Sequence, residues 1–188
     1  MAVLNGAEVI TPSLVNAVAE LLRGRPTPSL YLGPLAGGLA LRVALADEGL
    51  LLAEPSTKPR SIARQSRSGA GIVRAARDRL PLPRRSLAAL VAFDNLGRAE
   101  PPALLASWCE ALTPGGLLVV AERPRGAASH AWARAIGGPR HRLPPERMTQ
   151  LLLHQGFDGI GQRWPDGGAV VTFGALRLLP LPTGGAGS

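Results

Sequence analysis

Cysteine is nearly absent from this chain: Cys109 is the only one. A lone thiol closes no intrachain disulfide and builds no cysteine cage for zinc. Histidine is scarce as well. His130, His141 and His154 have neither HxxxH nor HxH spacing, so no metal centre is expected. Aromatic residues make up 4% of the sequence, and none falls within its basic stretch, which argues against a stacking platform for single-stranded nucleic acid. No apolar run approaches the roughly 18 residues that cross a bilayer. The opening MAVLNGAEVITPS has no basic region ahead of a long apolar stretch. No secretory signal is therefore expected, and with one cysteine the expected compartment is the reducing cytoplasm. There is no Gly-x-Ser-x-Gly elbow and no phosphate-loop lysine.

What remains is a core. Of 188 residues, 46% are apolar, enough for one domain with a sizeable interior and too many for a disordered chain. Thr11-Pro12 reads as an N-cap with proline at the first helical position, and Leu14, Val18, Leu21 and Leu22 follow at helical spacing. SLYLG (29–33) is a short buried strand, GGLALRVALADEG a helix, and LLLAE (50–54) a second strand. GIVRAA (71–76) is a third, and SLAALVAF (86–93) is apolar throughout, as suits a sheet covered on both faces. Pro101 and Pro102 open a helix with Leu104, Leu105, Trp108 and Leu112 on one face; Thr113-Pro114-Gly115-Gly116 is expected to end it before the strand LLVVA (117–121). Helices are expected around Ala127–Ile136 and Pro145–Gln155. The stretches 157–164 and 169–177 read as strands joined by the hairpin turn Pro165-Asp166-Gly167-Gly168.

Strands alternating with helices imply right-handed crossovers and a parallel sheet between helical layers. The fold class is α/β: a Rossmann-like three-layer sandwich, mostly parallel, with an antiparallel C-terminal hairpin at one edge. The expected division is an N-terminal helical segment (1–28), a core domain (29–178) and a flexible tail (179–188).

The net charge of +8 is concentrated. Nine basic residues and one acid, Asp78, lie between Lys58 and Arg85, and the rest of the chain nets to zero. Lys58 is the only lysine. Lys58, Arg60, Arg64, Arg67, Arg74, Arg77, Arg84 and Arg85 could meet an anionic partner: nucleic acid, phospholipid headgroups or an acidic protein face. The alternative is a solvated basic face in an arginine-rich sequence.

YLGPLAGGLAL (31–41) has the outline of a strand, a glycine turn and a helix. Four stretches then place it. LPLPRRSLAALVAFDNLG (80–97), PPALLASWCEALTPGGLLVVAE (101–122), LLAEPSTKPRSIAR (51–64) and LPPERMTQLLLHQGFDGIGQRW (143–164), in this order, resemble the class I S-adenosylmethionine-dependent methyltransferases with a compact seven-stranded core. The region around Pro114-Gly115-Gly116 is the most specific of them.

The resemblance implies a cofactor, S-adenosylmethionine, lying across the carboxyl ends of the strands, where open α/β sheets bind ligands. It implies that Gly33 and Gly37 belong to the cofactor turn and that Glu54, 21 residues beyond Gly33, accepts from the ribose hydroxyls. Asp78 stands near the place of an adenine-side acid. Asp94 and Asn95, after the fourth strand, are the expected reaction-site residues, with Glu122 a further carboxylate at a strand end. Two positions depart from the family: Tyr31 stands where an acid is usual, and Leu35 where the middle glycine is. Each acid also has a plainer use. Asp94 can cap a helix, and Glu54 can pair with a nearby arginine. Two functions follow from the resemblance: methyl transfer to an unidentified acceptor, or a methyltransferase-like binding or scaffold protein that has lost the cofactor.

Overall fold

Thr11 starts the first helix in the computed structural model, which describes residues 10–33, 35–46, 49–54, 72–74, 79–93, 96, 101–122, 143–166 and 169–177. Its hydroxyl accepts from Leu14 N at 3.2 Å, and Pro12 supplies a preset φ where the missing N–H costs nothing. The helix α1 spans Pro12–Leu22 and buries Leu14, Val18, Ala19 and Leu22 on one face. The remaining elements are β1 (Ser29–Leu32), α2 (Leu35–Leu45), β2 (Leu50–Glu54), β3 (Ile72–Arg74), β4 (Leu87–Phe93), α3 (Pro101–Ala111), β5 (Leu112–Glu122), α4 (Pro145–His154), β6 (Phe157–Arg163) and β7 (Val170–Leu176).

The seven strands form one sheet in the order β3-β2-β1-β4-β5-β7-β6. The first five in that order are mutually parallel. The hairpin expected at the C-terminal end forms, and β7 pairs antiparallel with both β5 and β6. β7 therefore lies one position in, and β6 is the edge. Chain order runs outward from β1 through β2 to β3, then returns to β4 on the other side. The carboxyl ends of β1 and β4 thus flank a topological switch point.

Alternation along the strands divides the core between the two faces. On one face Leu30, Leu90, Ala92, Leu118 and Val120 meet Leu104, Leu105 and Trp108 of α3 and Met148 and Leu152 of α4. On the other, Tyr31, Leu52, Val91, Val119 and Ala121 meet α1 and Leu41 of α2. Central parallel strands are buried on both sides, which explains why SLAALVAF has no polar alternation. Trp108 is fully buried, the helix-packing role its spacing suggests.

Two boundaries differ from expectation. β3 is shorter, Ile72–Arg74 rather than 71–76. The Thr113–Gly116 stretch is not a turn before the strand but an irregularity inside it. Leu87 pairs with Leu112 and Ala89 with Leu117, so the single residue between them on β4 lies opposite four on β5. Thr113 Oγ1 donates to Leu87 O at 3.1 Å and holds the excursion against β4. The helix expected around 127–136, and the residues Lys58, Arg60, Arg64, Arg67, Arg77, Asp78, Asp94 and Asn95, lie outside the described residues.

α1 is held to the sheet by more than its apolar face. Thr11 Oγ1 donates to Asp166 O at 3.0 Å, and Asp166 N donates to Ser13 Oγ at 3.2 Å. Arg163 of β6 pairs with Glu20 at 2.6 Å and lies over the Phe173 ring, 5.9 Å from its centroid.

Candidate functional site at the strand carboxyl ends

The strand registers bring the described candidates Gly33, Glu54 and Glu122 to one end of the sheet. Leu32 pairs with Ala53 of β2 and with Ala92 of β4, so Gly33 follows β1 at the level where Glu54 ends β2. Phe93, the last residue of β4, pairs with Ala121, one residue before Glu122. Asp94 and Asn95 follow Phe93 in sequence. Gly33, Glu54 and Glu122 are therefore assembled at the carboxyl side of the sheet, with the switch point between β1 and β4 at its centre. The register also puts Glu54 opposite Arg74 of β3.

Tyr31 is the residue whose surroundings are most informative. It is only 4% exposed and belongs to the apolar cluster on the α1 and α2 face. It lines a small recess with Ile10, Leu14, Val18, Val91 and Phe93. A Cβ added to Gly33 would lie 2.9 Å from both the Tyr31 hydroxyl oxygen and Phe93 Cβ. One added to Gly37 would strike the Tyr31 hydroxyl and Ile10 Cδ1. Both glycines are thus required by the protein's own packing: they leave room for a tyrosine ring behind the turn. Gly37 lies in the first turn of α2 and lets that helix close on β1, the packing use of a late glycine in such turns. Nothing in the sequence pointed to Ile10 as the second side chain filling this space.

Glu122 has a definite partner. Its Oε1 accepts from Leu96 N at 3.0 Å, across 26 residues of sequence. The bond joins the end of β5 to the segment that leaves β4 just after Asp94 and Asn95, and Leu96 itself is buried. Glu122 also borders a narrow recess with Leu143, Pro145, Met148, Val170 and Thr172. Cys109 lies on α3, away from this end. Burial pushes its thiol up to about 11, so it stays protonated and unreactive at neutral pH. Among the described residues no group of three His, Cys, Asp or Glu could hold a metal ion, and no helix is long and apolar enough to cross a membrane.

The overall architecture has close counterparts among solved structures. An S-adenosylmethionine-dependent methyltransferase of Thermotoga maritima superposes with a TM-score of 0.67 at 19% identity, over 88% of each chain. A Haloferax volcanii protein found in complex with a methyltransferase activator gives 0.70 at 17% identity, over 88% of this chain and 91% of that one. The methyltransferase CalH, in complex with S-adenosylhomocysteine, gives 0.59 at 17% identity over 87% of this chain and 54% of its own. The chain has the fold of the class I S-adenosylmethionine-dependent methyltransferases. No protein-family model and no curated protein matches its sequence.

Within this methyltransferase fold, the residues present fit the cofactor unevenly. Glu54 ends β2 beside the glycine turn, the place for a carboxylate that accepts from ribose hydroxyls. At the end of β1 the acid usual in the resembled family is missing: position 31 holds a tyrosine ring buried among apolar side chains, which offers no charge to the cofactor's amino-acid end.

Proposed function

We propose that this methyltransferase-fold chain binds an S-adenosyl nucleoside across the carboxyl ends of β1 and β2, through Gly33, Gly37, Glu54 and Asp78. On this reading Asp94 and Asn95 border the reacting group, and the chemistry is methyl transfer to an unidentified acceptor. The observation that carries the reading is the register that brings Gly33 and Glu54 together beside the β1–β4 switch point. Open α/β sheets bind ligands at this place, and the CalH structure contains S-adenosylhomocysteine. When bound, S-adenosylmethionine supplies an electrophilic methyl group on sulfur. The chain's own part is alignment and exclusion of water, with a base needed only where the acceptor holds a proton.

Calorimetric titration with S-adenosylmethionine and S-adenosylhomocysteine tests it. Binding is expected, and Glu54→Ala should weaken it by about 1–3 kcal/mol, the worth of charge-assisted hydrogen bonds. Absence of heat and of any thermal shift at millimolar ligand would refute the reading.

Tyr31 favours a second reading: a domain that no longer transfers methyl groups and works by binding. Its partner surface would include the basic stretch, of which Arg84 and Arg85 are exposed at the amino end of β4. Arg84 already pairs with Glu110 at 3.4 Å. Binding to RNA, DNA or anionic vesicles at low salt, weakening as salt rises, would support an anionic partner. Absence of binding, or binding indifferent to salt, would exclude it.

A further inference from the structure

The chain that leaves β4 is anchored on both sides of the two expected reaction-site positions. Phe93 ends β4, pairs with Ala121 and is 4% exposed. Leu96 is 1% exposed, and its side chain belongs to the core cluster on the α3 and α4 face. Three peptide steps join the two, a reach of roughly 11 Å at most. Only positions 94 and 95 lie between them. The anchors therefore fix where that stretch starts and where it ends.

The two anchors are held by different forces. Phe93 is set by strand pairing. Leu96 lies beyond the β4 ladder, and the apolar packing of its side chain is non-directional. What fixes its backbone is the bond from Leu96 N to Glu122 Oε1 at 3.0 Å, which is directional and charge-assisted. Glu122 is well placed for this. It closes β5, one residue past the Ala121–Phe93 pair, on a strand paired along both sides.

This anchor stands at the switch point. Leu32 pairs with Ala92, so Gly33 and Phe93 lie at one level, and a Cβ on Gly33 would come 2.9 Å from Phe93 Cβ. In an open α/β sheet the loops that follow the two strands at a switch point are the walls of the ligand crevice. One wall is the glycine turn after β1. The other is the stretch that Phe93 and Leu96 bracket.

With an S-adenosyl nucleoside held at the strand ends, the reading on which this rests, we propose that Glu122 is a positioning residue. By holding the Leu96 amide it fixes the segment after β4 as a wall of the nucleoside crevice. It acts through the backbone of Leu96 and its acceptor oxygen matters more than its charge.

Titration of the full chain with S-adenosylhomocysteine, well below the denaturation midpoint, tests this in the parent, Glu122→Ala and Glu122→Gln. Glu122→Ala removes the acceptor and should raise the dissociation constant about tenfold, the scale of one lost hydrogen bond. Glu122→Gln keeps an acceptor oxygen without the charge and should stay within about threefold of the parent. Rescue by glutamine is the signature of positioning. Parent-like constants in both variants would overturn the inference and leave Glu122 a contributor to stability alone. Glutamine as weak as alanine would overturn it in favour of a carboxylate that meets the ligand directly. A parent that binds no S-adenosylhomocysteine would remove the nucleoside reading and the inference together, which sets that failure apart from the other two.

Discussion

The hydroxyl of Tyr31 occupies the space in which a side chain on Gly37 would begin. The two positions are therefore coupled. Gly37→Ala should destabilise the fold by roughly 1–3 kcal/mol, because overpacking against a rigid ring outweighs the ~1 kcal/mol that alanine gains in helix propensity. Ile10 Cδ1, the other atom in the way, is the end of a flexible side chain and can rotate aside. Tyr31→Phe removes the phenol oxygen, and the next ring atom stands at 3.3 Å, which a Cβ tolerates with a small adjustment. The cost of Gly37→Ala should thus shrink in the Tyr31→Phe background. A double-mutant cycle by chemical denaturation measures the coupling, and additivity would show that the ring is not what excludes the side chain.

The same contacts predict what restoring an acid would do. Tyr31→Asp deletes a buried ring and leaves a carboxylate among Val91, Phe93 and Ile10. Truncating a buried aromatic alone costs about 3–5 kcal/mol, and an unpaired buried charge adds to that. The variant should melt well below the parent, and its midpoint should rise as pH falls toward the range in which the carboxylate protonates. A midpoint equal to the parent's at neutral pH would mean that position 31 opens to solvent.

Glu122 and Leu96 make a second checkable pair. Glu122→Ala leaves the Leu96 amide without its acceptor, at an expected cost of about 1–3 kcal/mol. Hydrogen exchange at the Leu96 amide should accelerate in this variant. Glu122→Gln keeps an acceptor oxygen in place and should preserve most of the protection. Equal protection in both variants would show that the bond does not hold the segment.

The ion pair of Arg163 with Glu20 is half exposed, 38% and 56% for the two side chains, so its charge term should be worth about 0.5 kcal/mol or less. Arg163 also donates to Ala17 O at 3.4 Å and covers the Phe173 ring. Arg163→Ala should therefore cost more than Glu20→Ala, and the excess should survive high salt, since packing is not screened. Equal costs that vanish together in salt would reduce the contact to its charges.

Cys109 predicts a pH effect. Burial raises its folded-state pKa from 9.0 to about 11. Below pH 9 the thiol is protonated in both folded and unfolded chains and its contribution is fully present. As pH rises from 9 to 11 the unfolded chain ionises first and that stability is lost. Denaturation midpoints across this window should fall more steeply for the parent than for Cys109→Ala, and alkylation of the folded protein at pH 8 should be slow. Parallel pH profiles would contradict the burial of the thiol.

How far the molecule could be read in advance differs from place to place. Thr11-Pro12 declared the start of α1 because capping is a local interaction, settled within a few residues. The unbroken apolar run of β4 declared a sheet covered on both faces, since an exposed face would have alternated. The hairpin at Pro165–Gly168 declared the antiparallel pairing of β6 and β7. The helix α3 ends at Ala111, just before Thr113–Gly116 as expected, but that stretch lies within β5 rather than ahead of it. Proline and two glycines signal a break in regular structure, yet whether the break lies before a strand or within it depends on the pairing of Leu87 and Ala89.

At the site, the residue types were legible and their uses were not. Sequence alone determined that β1 ends in a glycine turn without an acid and that Glu54 closes β2. Only the tertiary structure decided what the glycines are for. A glycine reads the same whether it makes room for a ligand or for a side chain of its own protein. Tyr31 and Ile10 converge on Gly37 from segments 21 residues apart, and Glu122 reaches Leu96 across 26. Such contacts arise when the sheet closes and the helices pack on it, so they leave no periodic trace in the chain.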